Sequence, residues 1–229
     1  MKILKSILIL LFVFLLNQKL MGQDNYSYLA LGDSYTIGEA VDEDKIWPKV
    51  LSDKLNERGI AVQLEKIIAT TGWTTDELLL ALEEDESIEN SNYDLVSLLI
   101  GVNNQYRGYG IKQFEEEFEL LLKKAIGLAG NKVSKVFVLS IPDYGVTPFA
   151  VENNKNSKVI AKELYNYNSI AKNISNEYGV IFFDITPISL KAIWQKDYIA
   201  KDKLHPSAKM YAEWVEYIEA GVFQLLNNK

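Results

Sequence analysis

The chain has 229 residues, of which 48% are hydrophobic and 24% are charged, and this composition is typical of one globular domain with a sizeable core. It contains no cysteine and one histidine, so disulfides, thiolate nucleophiles, cysteine metal sites and multi-histidine metal centres are excluded. The formal net charge of −7, with no basic cluster to offset it, argues against nucleic acid and anionic membranes as partners.

The beginning of the chain has the pattern of a secretory signal peptide. Two lysines precede an apolar run over residues 7–16, which is shorter than the roughly 20 residues that a membrane-spanning helix needs. We therefore predict cleavage between Gly22 and Gln23, a secreted or periplasmic protein, and one domain over residues 23–229. No cysteine follows to carry a lipid, so no stable membrane anchor is expected after cleavage; the alternative is an uncleaved anchor. Loss of residues 1–22, which hold three lysines and no acidic residue, would change the net charge from −7 to −10.

Strand and helix patterns alternate along the remaining chain. Short apolar runs predict strands over residues 26–31, 62–68, 95–100, 136–141 and 180–184. Helices are predicted over residues 47–58, after a capping box at Thr74-Thr75-Asp76-Glu77, over residues 111–128, over a long segment ending near Tyr178-Gly179, and from Pro206-Ser207 onward. Strands separated by helices imply parallel pairing through right-handed crossovers, and hence a three-layer α/β/α sandwich with a parallel five-stranded sheet.

Polar residues follow each predicted strand. Because a parallel sheet gathers these loops at one edge, where open α/β sheets bind their ligands, the residues are candidates for a common site. The segments are Gly32-Asp33-Ser34, Ala69-Thr70-Thr71-Gly72-Trp73, Gly101-Val102-Asn103-Asn104-Gln105, Pro142-Asp143-Tyr144-Gly145 and Asp202-Lys203-Leu204-His205-Pro206.

Ser34 is the candidate nucleophile. It lies where the first strand ends, so its hydroxyl and its backbone N–H can both face the crevice, one as nucleophile and the other as oxyanion donor. A serine hydroxyl needs a base, and His205 is the only histidine in the chain. Asp202, three residues earlier, can accept the Nδ1–H of His205, which leaves Nε2 free to take the serine proton. The alternatives are that Asp33 and Ser34 only close a turn and that His205 only begins a helix.

Two further residues are candidates for an oxyanion hole. Gly72 follows the second strand, and its backbone N–H can approach a substrate oxygen without an intervening Cβ. Asn103 follows the third strand and can offer its side-chain amide to the same oxygen, so that three donors are predicted together with the N–H of Ser34. Taken singly, an ordinary turn glycine and an ordinary turn asparagine explain these two residues equally well.

Four short blocks occur together in one order: Gly32-Asp33-Ser34, Gly72, Gly101-x-Asn103 and Asp202-x-x-His205. In this ordered set the chain resembles the SGNH hydrolases, the GDSL-type esterases and lipases. The resemblance implies a flavodoxin-like fold, and it implies acyl transfer through a covalent intermediate without a metal or an organic cofactor. It also implies residue roles: Ser34 as nucleophile, His205 as base, Asp202 as its partner, and Ser34, Gly72 and Asn103 as the oxyanion hole. The third block commonly ends in aspartate where this chain has Asn104, so we expect the chemistry to be kept and the loop geometry to differ.

The substrate is predicted only as a class, a small-molecule ester. Aromatic and polar side chains in the strand-end loops are candidates to contact it, because aromatic rings stack on sugars and bury acyl chains. These side chains are Tyr35, Trp73, Asn104, Tyr106, Arg107, Tyr109 and Tyr144. Arg107 can either bind a phosphate or carboxylate or serve as a surface ion-pair partner.

Three functions are compatible with the sequence. The first is a small-ester or carbohydrate-deacetylating esterase, which is favoured because the long apolar face of a triacylglycerol lipase is not evident. The second is a lysophospholipase or thioesterase of the same family. The third is a non-catalytic ligand-binding module on this fold, and the complete set of Ser34, Asp202 and His205 argues against it.

Overall fold

Five parallel strands form the centre of the molecule. The computed structural model describes residues 25–89 and 91–227, and the predicted signal peptide over residues 1–22 lies outside them. The strands are β1 (Tyr26–Gly32), β2 (Val62–Ala69), β3 (Leu95–Leu99), β4 (Val136–Leu139) and β5 (Ile181–Phe183). Their order in the sheet is β2-β1-β3-β4-β5, and every neighbouring pair is parallel. The predicted parallel five-stranded sheet is confirmed.

Helices cover both faces of the sheet. They are α1 (Ser34–Ile37), α2 (Trp47–Glu57), α3 (Thr75–Glu84), α4 (Val102–Arg107), α5 (Ile111–Leu128), α6 (Pro148–Glu152), α7 (Ser157–Glu177), α8 (Thr186–Ser189) and α9 (Ala208–Asn227). One layer holds α2 and α9, and the other holds α5 between α3 and α7, so the predicted three-layer α/β/α sandwich is confirmed. In the part of the chain that the structure describes, no helix is both long and apolar enough to cross a membrane.

The core lies between the sheet and these two helix layers. Every residue of β3 is buried, and β1 is buried from Tyr28 onward, as expected for parallel strands covered on both faces. Trp47 of α2 and Trp214 of α9 are also completely buried, and burial of one large apolar side chain contributes roughly 1.5–3 kcal/mol. The indole N–H of Trp47 donates to the carbonyl of Tyr35 at 3.1 Å, so the core helix α2 supports α1.

The predicted elements agree with the observed ones to within a few residues. Helix α5 has the predicted bounds, and the predicted capping box begins α3, where the N–H of Thr74 donates to Oε2 of Glu77 at 2.8 Å. The short helices α1, α4, α6 and α8 were not predicted, because four to six residues are too few for an amphipathic pattern to emerge. The segment at Ser34 that was expected to be a loop is therefore the first turn of α1.

The strand order places a crevice at one particular point of the sheet. From β1 the chain crosses to β2 on one side and later returns to β3 on the other side, so successive connections leave β1 in opposite directions. The loops after β1 and β3 consequently diverge, and doubly wound sheets bind ligands at this switch point. Ser34 follows β1 there, and Asn103 follows β3.

Candidate active site

The three residues predicted to act together in catalysis meet at the carboxyl edge of the sheet. The Ser34 hydroxyl lies 2.9 Å from Nε2 of His205, and Nδ1 of His205 lies 2.5 Å from Oδ2 of Asp202. When the Nδ1–H donates to the carboxylate, Nε2 is the acceptor for the serine O–H. Ser34 and His205 are both buried, so this arrangement can take a proton from the serine in a site largely shielded from water.

The short helix α1 fixes the position of Ser34 at the end of β1. Asp33 caps α1, and its Oδ1 accepts the backbone N–H of Tyr35 at 3.0 Å. Ser34 occupies the first helical position, where a backbone N–H has no acceptor within the helix, so this N–H is available to a ligand. Glycine is required at position 32, because a Cβ on Gly32 would lie 2.1 Å from Oγ1 of Thr36.

Asp202 holds His205 with both of its carboxylate oxygens. Oδ1 accepts the backbone N–H groups of Leu204 and His205, each at 3.0 Å, while Oδ2 faces the imidazole. Burial raises the pKa of Asp202, but the hydrogen bonds from the His205 ring and from the two backbone amides outweigh burial and hold the pKa below its ordinary value. The carboxylate is therefore ionised at neutral pH and can stabilise a protonated imidazole. Tyr35 packs edge-on against the same ring, with the ring centroids 5.7 Å apart.

Asn103 lines the same crevice as the Ser34 hydroxyl. Its side-chain amide donates one N–H to the carbonyl of Trp73 at 2.9 Å, and the amide has a second N–H. This bond connects Asn103 with Trp73, the residue after Gly72. Gly72 has a φ of +88°, which is in the left-handed region that favours glycine. The carbonyl of Gly72 accepts a further hydrogen bond from Arg107 at 2.6 Å. The two residues predicted as additional oxyanion donors thus belong to segments that are bonded to each other.

Asn104 does not reach the crevice, which corrects its prediction as a substrate contact. Its side chain is completely buried, with Oδ1 accepting the N–H of Thr75 at 3.1 Å and Nδ2 donating to Oγ1 of Thr75 at 2.6 Å. The Thr75 hydroxyl in turn donates to Glu117 of α5. Asn104 therefore ties the turn after β3 to the beginning of α3.

The crevice beside Ser34 has a volume of about 190 Å³. Tyr35, Tyr106 and Tyr144 line it, where the sequence had placed them as candidates, and the rings of Tyr106 and Tyr144 meet edge-on with centroids 6.0 Å apart. Three apolar side chains that were not predicted complete the wall: Val102, Phe149 and Leu204. The position of Leu204 between Asp202 and His205 is a signal from which its place at the site could have been predicted. The sequence around Phe149 contains no such signal.

Four residues that the sequence offers for the site do not line this crevice: Gly72, Trp73, Arg107 and Tyr109. For Trp73 and Tyr109, contact with the substrate stays a prediction. Nη1 of Arg107 lies 3.2 Å from Oε1 of Glu77, and Nη2 donates to the Gly72 carbonyl. Arg107 is therefore the surface ion-pair partner that was considered as the alternative. The Trp73 side chain packs against the hydrophobic core.

Residues 30–213 match the model of the GDSL-like Lipase/Acylhydrolase family. The chain belongs to that family. It is accordingly a hydrolase that acts on ester bonds, and its predicted membership of the SGNH hydrolases is confirmed. No curated protein matches the chain in sequence.

Several solved structures share the fold of this GDSL-like protein. The psychrotrophic esterase EstA from Pseudoalteromonas sp., in a structure inhibited by monoethylphosphonate, has a TM-score of 0.66 and 20% identity over 90% of this chain and 100% of that chain. The lipase/acylhydrolase from Enterococcus faecalis has a TM-score of 0.66 and 19% identity over 89% of this chain and 98% of that chain. TesA has a TM-score of 0.67 and 16% identity over 87% of this chain and 99% of that chain. At these identities the likeness supports the fold.

A buried carboxyl group lies directly beside Ser34 in this GDSL-like hydrolase. Asp33 is 1% exposed, and within the described residues its Oδ2 has no hydrogen-bond partner. Burial raises the pKa of Asp33 to about 7, against the lowering effect of the hydrogen bond from the Tyr35 N–H. Near neutral pH this carboxyl therefore exchanges between its neutral and charged forms.

We expect Asp33→Asn to remove a pH-dependent loss of stability. The folded protein keeps the Asp33 proton up to about pH 7, whereas the unfolded chain releases it near pH 4, so the free energy of unfolding falls as the pH rises through this window. One unit of pKa shift corresponds to about 1.4 kcal/mol, so the total loss is on the order of a few kcal/mol. Asparagine keeps an acceptor for the Tyr35 N–H and cannot ionise.

Urea unfolding at about pH 5 and about pH 8 measures this effect. Wild type should lose more stability between the two conditions than Asp33→Asn does. Asp44→Asn, which alters an exposed carboxylate, is the control and should follow wild type. Equal losses in wild type and Asp33→Asn would show that Asp33 does not titrate in this range.

Proposed function

We propose that this hydrolase is a serine esterase that cleaves small esters, including acetyl groups on carbohydrates, through a covalent acyl-enzyme. The observation that carries the proposal is the unbroken hydrogen-bonded series from Ser34 through His205 to Asp202. A module that only binds a ligand has no use for a serine hydroxyl aligned on an imidazole and a carboxylate, so the geometry favours turnover.

In the proposed reaction, Oγ of Ser34 attacks the ester carbonyl carbon while Nε2 of His205 takes the serine proton. The bond to the alcohol oxygen then breaks, and the imidazolium returns its proton to that oxygen. A water molecule, deprotonated by the same nitrogen, then attacks the acyl carbon. The bond from that carbon to Oγ of Ser34 breaks, the imidazolium returns the proton to Oγ, and the carboxylic acid leaves. In both halves of the reaction the Asp202 carboxylate stabilises the protonated ring.

The tetrahedral intermediate places a negative charge on the former carbonyl oxygen. We assign the N–H of Ser34, the N–H of Gly72 and the second N–H of the Asn103 amide as its three donors. Hydrogen bonds between the Gly72 and Asn103 segments support this assignment, because donors that are held in place before reaction need no reorganisation when the charge develops.

We expect Asn103→Ala to lower kcat by about 10²–10³ with a smaller effect on KM, because one oxyanion donor is lost. The adjacent Asn104→Ala is the matched comparison, because it removes the buried hydrogen bonds to Thr75. Its main effect should be a lower melting temperature, whereas the main effect of Asn103→Ala should be a lower kcat. Steady-state kinetics and thermal unfolding of both variants measure the contrast. Near wild-type kcat in Asn103→Ala would remove Asn103 from the oxyanion hole.

The volume of the crevice supports a short acyl chain. At about 190 Å³ it is smaller than the ~300–1,000 Å³ of pockets for drug-sized ligands. Tyr106 and Phe149 offer aromatic surface on which a sugar ring can stack. The pairing of Arg107 with Glu77 removes the argument for a phosphate head group. These observations favour small and acetylated esters over lysophospholipids and long-chain thioesters.

A panel of p-nitrophenyl esters with acyl chains of increasing length, together with acetylated sugars, tests the proposal. We expect kcat/KM to be highest for acetyl and butyryl esters and to fall steeply for longer chains, and we expect Ser34→Ala to abolish turnover of all of them. Activity that rises toward long chains would favour the lysophospholipase or thioesterase alternative. Turnover that survives in Ser34→Ala would remove the proposed nucleophile.

We further propose that the protein is exported and acts outside the cytoplasm. The support is the pair of lysines followed by the short apolar run over residues 7–16. N-terminal sequencing of the exported protein should begin at or near Gln23. Full-length protein retained inside the cell would contradict export.

A further inference from the structure

The loop that carries Asp202 and His205 is closed on itself. The N–H of Ala200 donates to the carbonyl of His205 at 2.8 Å, and the N–H of Lys203 donates to the carbonyl of Ala200 at 3.0 Å. Inside this closed loop, Oδ1 of Asp202 accepts the N–H groups of Leu204 and His205. The direction in which the two amides point therefore decides where the carboxylate sits.

Lys203 has an unusual backbone conformation between the two catalytic candidates. Its φ is +69°, which side chains with a Cβ rarely adopt, and it is the residue immediately before the two amides that bind Asp202. A left-handed residue turns the following N–H groups to the inside of the bend, where successive amides form a concave site for an anion. Here the anion is the side chain of Asp202 itself.

Helix α6 holds this conformation from outside the loop. The backbone N–H of Phe149 donates to the carbonyl of Lys203 at 2.9 Å, and the Lys203 ammonium lies 2.8 Å from Oε1 of Glu152. The side chains of Lys203 and Glu152 are 57% and 54% exposed, and exposed ion pairs contribute little. The backbone bond is consequently the main anchor, and the identity of the lysine side chain is secondary to its conformation.

We propose that Lys203 is a positioning residue, whose left-handed backbone aims the ring of His205 at Ser34. The inference rests on the proposed function, in which His205 is the catalytic base. It adds that a residue without contact to the substrate sets the geometry of that base. It also attributes the effect to backbone conformation rather than to the charge of the side chain.

Three substitutions separate conformation from side chain. Glycine and asparagine enter the left-handed region readily, whereas a β-branched valine strongly disfavours it. We expect Lys203→Gly and Lys203→Asn to keep kcat within about threefold of wild type, and Lys203→Val to lower kcat about 10- to 100-fold at unchanged KM, as a misplaced catalytic group does. In Lys203→Val the acid limb of kcat/KM should also move to lower pH, because a displaced carboxylate stabilises the imidazolium less.

A second left-handed position provides the control for general destabilisation. Asn131 has a φ of +59° in the turn after α5, away from the crevice, so Asn131→Val carries a similar backbone cost there. We expect Asn131→Val to lower the melting temperature without moving kcat or the acid limb. If Lys203→Val behaves like Asn131→Val, the role of Lys203 is only structural.

The NMR spectrum of the imidazole gives a readout that does not depend on turnover. The single histidine of the chain gives one unambiguous set of ring signals, and their chemical shifts at a fixed pH should change in Lys203→Val and match wild type in Lys203→Gly. Asp202 of the loop is hydrogen-bonded to the ring and Tyr35 of α1 packs against it, and both are retained in each variant. Burial raises the pKa of Tyr35, and the nearby Asp33, Tyr144 and Asp143 raise it further; all three are retained as well.

Two results would overturn the inference. One is unchanged ring chemical shifts together with unchanged kcat in Lys203→Val. The other is an equal loss of kcat in Lys203→Gly, Lys203→Asn and Lys203→Val, which would assign the effect to the lysine side chain and its partner Glu152. A failure of the proposed function is distinct from both, because it would appear as turnover that persists in Ser34→Ala while the NMR comparison still stands.

Discussion

We expect His205→Ala to lower kcat on short-chain esters by about 10⁴- to 10⁶-fold, as the loss of the triad histidine does in serine proteases. A serine hydroxyl is too weak an acid to attack an ester at neutral pH without a base, and the Nε2 of His205 lies 2.9 Å from Oγ of Ser34. No other imidazole exists in the chain to replace it. Single-turnover and steady-state kinetics with p-nitrophenyl acetate measure the loss.

Two comparisons make this expectation specific. The double variant Ser34→Ala with His205→Ala should be no slower than either single variant, because residues that act as a unit have non-additive effects. Modification by diethylpyrocarbonate should abolish activity at one equivalent, since the chain has one histidine. Substantial Ser34-dependent turnover in His205→Ala would identify another group as the base.

Asp202→Asn should lower kcat by about 10⁴ while the fold is kept. The asparagine amide can donate to Nδ1, which places the imidazole proton on Nε2, where it blocks acceptance of the serine proton. Asp202 also stabilises the imidazolium, so the acid limb of the residual kcat/KM should move to lower pH in the variant. The pH profile of kcat/KM measures both effects.

Asp197→Asn is the matched control for Asp202→Asn. Asp197 lies five residues earlier, is exposed and pairs with Lys209 at 2.6 Å, so its neutralisation should leave the rate and the pH profile as in wild type.

The pKa of Asp202 is held below its ordinary value, so the contribution of Asp202 to stability is present at neutral pH and is lost as the pH falls through that lowered pKa. A normal rate in Asp202→Asn would exclude Asp202 as the partner of His205.

The sheet and the long helices follow from the sequence because their signals are local. Strand β3 is a run of apolar residues, and α5 repeats apolar side chains on one face over Ile111–Leu128. Ser34, Asn103, Asp202 and His205 could be brought together in advance because a parallel sheet gathers all strand-end loops at one edge. This argument needs only the order of the strands and not the details of any loop.

Helix α4 shows what the sequence could not reveal. Because six residues carry no clear amphipathic pattern, the sequence predicts a loop here and offers Asn104, Tyr106 and Arg107 together as substrate contacts beside Asn103. In the helix, residues three apart share a face: Asn103 and Tyr106 line the crevice, whereas Asn104 and Arg107 are bonded to the α3 side. The error at Asn104 and Arg107 is therefore one unrecognised helical turn.

Phe149 contributes to the crevice through its side chain and to the loop of Asp202 and His205 through its backbone. Its ring forms a wall of the crevice, while its backbone N–H holds the carbonyl of Lys203. Every amino acid except proline supplies that N–H, so substitution at this position alters the wall of the crevice and keeps the hydrogen bond to the Lys203 carbonyl. The width of the crevice and the backbone anchor at Lys203 therefore depend on different parts of one residue, and a single substitution in α6 can change the first without the second.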